Sequence, residues 1–117
     1  MATVKKAKLF ATGTKESLTM TVEADLDWDR GDDRVDWDLQ IRFMGRKTLR
    51  ADRIMHVHNE PVSPGDGKSR RIDVSGAGGV FDSDRGRDEI YAEVQLAPRA
   101  TDVRVVKTNT VRGDFDA

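Results

Sequence analysis

The chain has 117 residues, of which 35% are charged and 37% hydrophobic, and its 20 basic and 21 acidic side chains give a formal net charge of -1. This is the usual length of one domain, so we expect residues 1–117 to form a single domain. The balanced charge argues against nucleic acid as a partner, because such binding depends on basic surfaces. The absence of cysteine excludes disulfides and thiolate metal sites.

Alternating apolar and polar residues predict β-strands along most of the chain. The alternation is clearest at 18–26 and 35–43, where an apolar side chain recurs at every second position. A period of two is that of a half-buried strand. No window has the period of an amphipathic helix. The other predicted strands are 5–12, 53–58, 70–74, 89–96, 102–107 and 110–115.

Turn-forming residues separate these segments. Residues 27–34 contain Asp-Arg-Gly-Asp-Asp, which predicts a hairpin that pairs the two clearest strands. Seven or eight short strands divided by Gly, Pro and Asp clusters predict an all-β fold, an antiparallel β-sandwich. The apolar faces of two strands place Leu39, Ile41, Val94 and Leu96 in the expected core.

The amino-terminal segment carries no targeting signal that we can read. Residues 1–13 include three lysines but no apolar run of the length that a signal peptide needs. No transmembrane segment is expected, because no apolar stretch is long enough to span a bilayer. The expected location is therefore cytoplasmic.

Aspartates crowd the first predicted turn and the strand ends beside it. Their charges repel one another unless a cation or neighbouring arginines neutralise them. Calcium takes six to eight oxygen ligands from flexible loops, which this segment can offer. The alternative is a solvated hairpin balanced by Arg30 and Arg34. The aspartates are Asp25, Asp27, Asp29, Asp32, Asp33, Asp36 and Asp38.

A second acidic segment lies at 82–89, with the sequence Asp-Ser-Asp-Arg-Gly-Arg-Asp-Glu. Oxygen donors at alternate positions around a glycine can wrap one ion. The spacing is not that of an EF-hand, because the glycine comes one position early. The alternative is that Arg85 and Arg87 neutralise these acids without a metal.

The two histidines and the remaining polar residues do not predict catalysis. His56 and His58 share one face of a strand, but a zinc site needs four converging ligands and the chain has no third histidine. Ordinary strand histidines are the favoured interpretation. The sequence has no nucleophile elbow and no recognisable general base with a residue to orient it. The carboxylates look alike and exposed, so we do not expect an enzyme.

Several segments, in chain order, resemble the TerD family of tellurium-resistance and stress proteins. Residues 35–40, Val-Asp-Trp-Asp-Leu-Gln, are similar to its Asp-Phe-Asp-Leu-Asp motif, and 26–29, Leu-Asp-Trp-Asp, to the Gly-Trp-Asp stretch before it. Residues 58–65 are similar to the family's Tyr-Asn-Asn-Pro-x-Ser-Pro turn, and Asp73 matches the aspartate of its Gly-Asp-Asn. Residues 88–98 are similar to its acidic pair and the Val-Asp-Leu-x-x-x-Pro that follows.

The resemblance implies a non-enzymatic β-sandwich that binds Ca2+ through loop carboxylates and acts in tellurite and stress responses through protein partners. Gln40 stands where the family has the third acid of its first motif. The ion is expected where Asp36 or Asp38 meets one of the later acids. The implied ligands are Asp36, Asp38, Asn59, Asp73, Asp88 and Glu89, with Asp82 and Asp84 as neighbours in the same loop.

A second function is left open, that of a structural assembly subunit such as a virion, phage tail or tail-like particle component. Bare edge strands of a sandwich invite the addition of a strand from another molecule. Pairing with a neighbouring subunit is expected through residues 5–12 or 108–117. The expected partners are therefore proteins or further copies of this chain.

Overall fold

The computed structural model describes residues 3–14, 17–31, 34, 36–46, 52–76, 87–97 and 105–114. Over these residues the chain forms strands and one short 3-10 turn, Pro64–Asp66. No helix in this part of the chain is long and apolar enough to cross a membrane. The strands are β1 Thr3–Thr14, β2 Ser17–Asp27, β3 Trp37–Gly45, β4 Arg53–Val62, β5 Ser69–Gly76, β6 Arg87–Ala97, β7 Val106–Lys107 and β8 Val111–Asp114.

The strands form two antiparallel sheets packed as a sandwich, which confirms the predicted all-β fold. The first sheet has the order β1-β2-β5, and the second has the order β4-β3-β6, with β7 and β8 both pairing with β6. Apolar residues at alternate positions of β1, β2, β3, β5 and β6 turn toward the other sheet and form one core.

The expected core residues lie on the inner face of the second sheet. Leu39, Ile41 and Val94 are completely buried, as predicted. Leu96 is only partly buried and packs against the edge of the core. Among the described residues, β7 pairs with β6 only as far as Val94. The end of β6 beyond Val94 is therefore less covered.

The predicted hairpin between the two clearest strands is wrong. β2 pairs with β1 and β5, whereas β3 pairs with β4 and β6. Each of these strongly apolar strands supplies the interior of its own sheet, and residues 28–36 cross from one sheet to the other. Trp28 and Trp37 meet edge to face at this crossing, with ring centroids 6.1 Å apart.

An amide from the carboxyl-terminal region covers part of the β1 edge. The Leu9 backbone N–H donates to Asn109 Oδ1 at 2.8 Å, and Asn109 Nδ2 donates to the Leu9 carbonyl at 3.0 Å. The side-chain amide thus replaces one residue of a neighbouring strand. Of the strand predicted at 102–107, the structure gives Val106–Lys107, and residues 102–104 lie outside the described part.

The β3–β6 ladder defines two ends of the sandwich. Asp38 lies opposite Ala97, and Gly45 lies opposite Ile90. The start of β3, the end of β4 and the 3-10 turn share one end, which we call the turn end. The start of β6 lies at the opposite end.

Candidate functional site

The structure distributes the predicted calcium ligands over both ends of the sandwich. Asp36 and Asp38 lie at the turn end, whereas Asp88 and Glu89 begin β6 at the opposite end. Asp38 pairs with Ala97, and the eight residues from there to Glu89 correspond to roughly 27 Å at about 3.4 Å per residue. This register corrects the expectation that Asp88 meets Asp36 or Asp38. Asp82 and Asp84 lie outside the described residues.

Two further predicted ligands lie on opposite outer faces. Asp73 is on the outer face of the first sheet, where it accepts a hydrogen bond from Thr21 Oγ1 at 2.6 Å and lies 3.9 Å from Arg71 Nε. Asn59 pairs with Gln40 on the outer face of the second sheet. Both sheets, about 10 Å apart, separate the two positions. Asp73 therefore cannot share an ion with Asn59, nor with Asp38, which is on the same face as Asn59.

A cavity of about 350 Å3 at the turn end brings Asp36 and Asp38 together with a third acid, Asp66. Ser63 also lines this cavity. Pro61, the partner of Asp38, lies one residue before the end of β4, where the chain turns toward β5. Sequence reasoning missed Asp66, although Ser-Pro-Gly-Asp-Gly is itself a turn signature.

The local sequence fixes Asp66 in place. Pro64 suits the first position of the 3-10 turn, because its φ is already fixed. Asp66 Oδ2 accepts hydrogen bonds from the Ser63 N–H at 3.0 Å and from Ser63 Oγ at 3.2 Å. Gly67 follows with a φ of 95°, a conformation that favours glycine. Because Oδ2 holds the turn, Oδ1 is the oxygen with capacity for a further ligand.

A tryptophan fixes the same turn to the rest of the sandwich. Trp28 Nε1 donates to the Gly67 carbonyl at 3.0 Å, while its ring packs against Trp37 at the start of β3. Trp37 is buried, and it lies between Asp36 and Asp38 in sequence. The position of the turn relative to the two acids of β3 is therefore set by packing.

The chemistry of this cavity suits a hard cation, but the ligand set is incomplete. Carboxylates and hydroxyls are the oxygen ligands that calcium takes, and it needs six to eight of them. Among the described residues, no three Asp, Glu, His or Cys side chains lie close enough together to hold a metal ion. Asn59 lies one diagonal step from Asp38 on the same face, a Cα separation of about 7 to 8 Å.

Lysines from other segments neutralise part of the acidic turn. Asp25 accepts a hydrogen bond from Ser69 Oγ at 3.0 Å and lies 3.6 Å from Lys6 Nζ. Lys5 and Lys68 line the same cavity of about 510 Å3 beside Asp25. Neutralising charges at Asp25 thus come from β1 and from the residue before β5.

The two histidines lie on β4, on its inner face. His58 Nε2 is 2.9 Å from Glu60 Oε2, and the His56 ring stacks on Phe43 with centroids 6.1 Å apart. His58 pairs with Ile41 in the ladder, so both point to the same side of the sheet.

Sequence reasoning also missed a polar cluster around Tyr91. The Tyr91 hydroxyl donates to Asp52 Oδ2, and Lys107 Nζ lies 5.7 Å from the centre of the ring. Burial of the ring, with the hydrogen bond and the charge of Asp52, raises the pKa of Tyr91 to about 12. These residues and Arg46 line a cavity of about 210 Å3. No local pattern predicts this contact, because Asp52 precedes β4 and Tyr91 lies in β6.

Comparison with known proteins assigns the chain to no family. No family model matches the chain, and no curated protein matches it. Among solved structures, the chain is similar to β-glucosidase from Kluyveromyces marxianus in complex with glucose, with a TM-score of 0.44 and 9% identity. The likeness covers 93% of this chain and 14% of that chain, so this chain spans a small fraction of that protein.

Proposed function

We propose that this is a non-enzymatic, cytoplasmic, calcium-binding domain of TerD type that acts in tellurite and stress responses through protein contacts. The observation that carries the proposal is the cavity at the turn end, which Asp36, Asp38 and Asp66 line together. Asp36 and Asp38 are ligands that the family resemblance implies, and the fold brings Asp66 to the same cavity.

The shared negative charge of the cavity lining is the reason to propose an ion there. Asp36, Asp38 and Asp66 each bring a carboxylate to one cavity, and a divalent cation is attracted by all three. Calcium tolerates irregular oxygen coordination and accepts carbonyls and waters, whereas magnesium demands near-octahedral geometry. Ser63 and Asn59 are additional oxygen donors near the cavity.

An ion in this position would join two parts of the sandwich. Asp36 and Asp38 belong to the start of β3, while Asp66 lies between β4 of the second sheet and β5 of the first. Binding would therefore fix the connection between the sheets relative to β3. A partner that contacts this end would then respond to calcium.

Thermal unfolding with and without calcium tests this function. Binding to the folded state alone adds about 2.7 kcal/mol of stability at a hundredfold excess over Kd. The Tm should rise with calcium and rise less with magnesium. Asp38→Asn combined with Asp66→Asn should remove the rise, because both substitutions take a charge from the cavity.

Asp73→Asn is the matched control for this experiment. It also removes one aspartate charge, but from the outer face of the first sheet, so the calcium response should persist. The proposal fails if calorimetry detects no heat and millimolar calcium leaves the Tm unchanged. If Asp73→Asn alone abolishes the response, calcium binds elsewhere.

The unpaired sheet edges favour a second candidate function, that of an assembly subunit. β4 and β5 each end a sheet, and no described residue pairs with their outer edges. The segments expected to carry assembly also make contacts within the chain, where Asn109 bonds to Leu9 of β1 and β8 pairs with β6. We therefore add β4 and β5 to the predicted 5–12 and 108–117 as edges through which copies would meet.

A further inference from the structure

β4 is an edge strand with apolar side chains exposed on its outer face. Ile54 is 53% exposed and Val57 is 43% exposed, and both lie on this strand. The exposed side chains of β5 are polar or charged, including Arg71 and Asp73. Of the β4 and β5 edges, β4 is therefore the one suited to bury apolar area.

A proline identifies which backbone groups of β4 face outward. Pro61 pairs with Asp38 inside the ladder but has no N–H to donate. Within a sheet, such a proline belongs where its nitrogen points away from the neighbouring strand. Backbone groups alternate in direction along a strand, so those of Val57 and Asn59 also point outward. These residues can accept and donate hydrogen bonds to an added strand.

The inner face of β4 carries histidines toward one end and a carboxylate toward the other. His56, His58 and Glu60 alternate along this face, opposite Phe43, Ile41 and Leu39 of β3. A two-fold axis through His58 would place His56 of one copy opposite Glu60 of the other. Inward polar residues and an edge proline hinder the pairing of an edge with other strands, so few registers remain open to β4.

We propose that β4 pairs antiparallel with β4 of a second copy, about a two-fold axis at His58. In this register Val57 lies opposite Asn59 of the second copy, and the two exchange hydrogen bonds in both directions. Moving the two-fold axis from His58 to His56 would pair Val57 with Met55, which sits at an irregularity of the ladder. Moving the axis to Glu60 would pair Asn59 with Pro61, which lacks a donor. The inference deepens the assembly function and does not depend on calcium.

A single cysteine tests the register, because the chain contains none of its own. His58 would face its own copy at a non-hydrogen-bonded position, where Cα atoms lie about 4.5 Å apart, a separation that a disulfide can span. Under mild oxidation, His58→Cys should form dimers roughly tenfold or more faster than Ser75→Cys, because pairing raises the effective thiol concentration. Ser75 lies exposed on β5, the other edge, and serves as the matched control.

Val57→Pro tests the same contact without a thiol. It removes an N–H that points outward, so the monomer should keep its β-sheet spectrum and Tm, while sedimentation should show that association is lost. Equal crosslinking of the two cysteine variants overturns the proposal. An oligomer that persists in Val57→Pro overturns it as well but leaves the assembly function standing. A full-length chain that stays monomeric up to millimolar concentration refutes both.

Discussion

The ionisation of Tyr91 gives a direct test of the packing at the end of the sandwich opposite the turn end. Burial and the hydrogen bond to Asp52 raise the pKa of Tyr91 to about 12, above its ordinary value of 10.0. The side chain is 8% exposed, so solvent screens the effect little. The chain has one tyrosine, and its tyrosinate absorbance therefore reports this residue alone. The absorbance titration should have its midpoint well above pH 10 while the chain remains folded.

The same shift predicts how stability depends on pH. Because the folded-state pKa exceeds the unfolded one, the folded chain holds the phenolic proton more tightly, and this contribution is complete below about pH 10. This contribution is lost as the pH rises from about 10 to about 12. A pKa shift of this size corresponds to about 2 to 3 kcal/mol in the free energy of unfolding. Tyr91→Phe should lack this part of the decline, as measured by urea unfolding across the range. Asp52→Asn should lower the pKa. A midpoint near 10 in the folded chain would refute the burial and the Asp52 contact.

Two further substitutions test the core and the β1 edge. Leu39→Ala should cost about 2 to 5 kcal/mol in urea unfolding, because it leaves a cavity at a completely buried position, and a loss below about half a kcal/mol would contradict the packing. Asn109→Ala should cost about 1 to 3 kcal/mol, because it leaves the backbone groups of Leu9 without their partner. Hydrogen exchange at the Leu9 amide should also accelerate, and unchanged exchange would show that the amide does not cover the edge.

The strands could be predicted because alternation is a local property, whereas their assignment to sheets is not. Residues 18–26 and 37–43 each show one apolar face, and that face is buried in both. Nothing in the alternation tells whether the connection is a hairpin or a crossing between sheets. The strongest hint is the pair Trp28 and Trp37, one at each end of the connection, which meet across the sandwich instead of along a ladder.

The candidate cation site shows the same division between local and distant information. Asp36 and Asp38 were predicted because both lie in one short segment that resembles the first TerD motif. Asp66 comes to them because β4 runs antiparallel to β3 and places Pro61 opposite Asp38, just before the 3-10 turn. The register of β6 places Glu89 at the opposite end of the sandwich from Asp36 and Asp38. The spacing of residues 82–89 does not reveal that register.

The polar inner face of β4 follows from the unequal widths of the sheets. The first sheet has three strands and the second has five, so a strand at the margin of the wider sheet cannot be fully covered. His58 and Glu60 retain about a third of their side-chain exposure there, although their ladder partners Ile41 and Leu39 are completely buried. A polar pair is stable in such a position because water still reaches it and each group has a partner. β4 is thus hydrogen-bonded to β3 along one edge and partly exposed to solvent along the other. A strand added from another molecule would pair with that second edge.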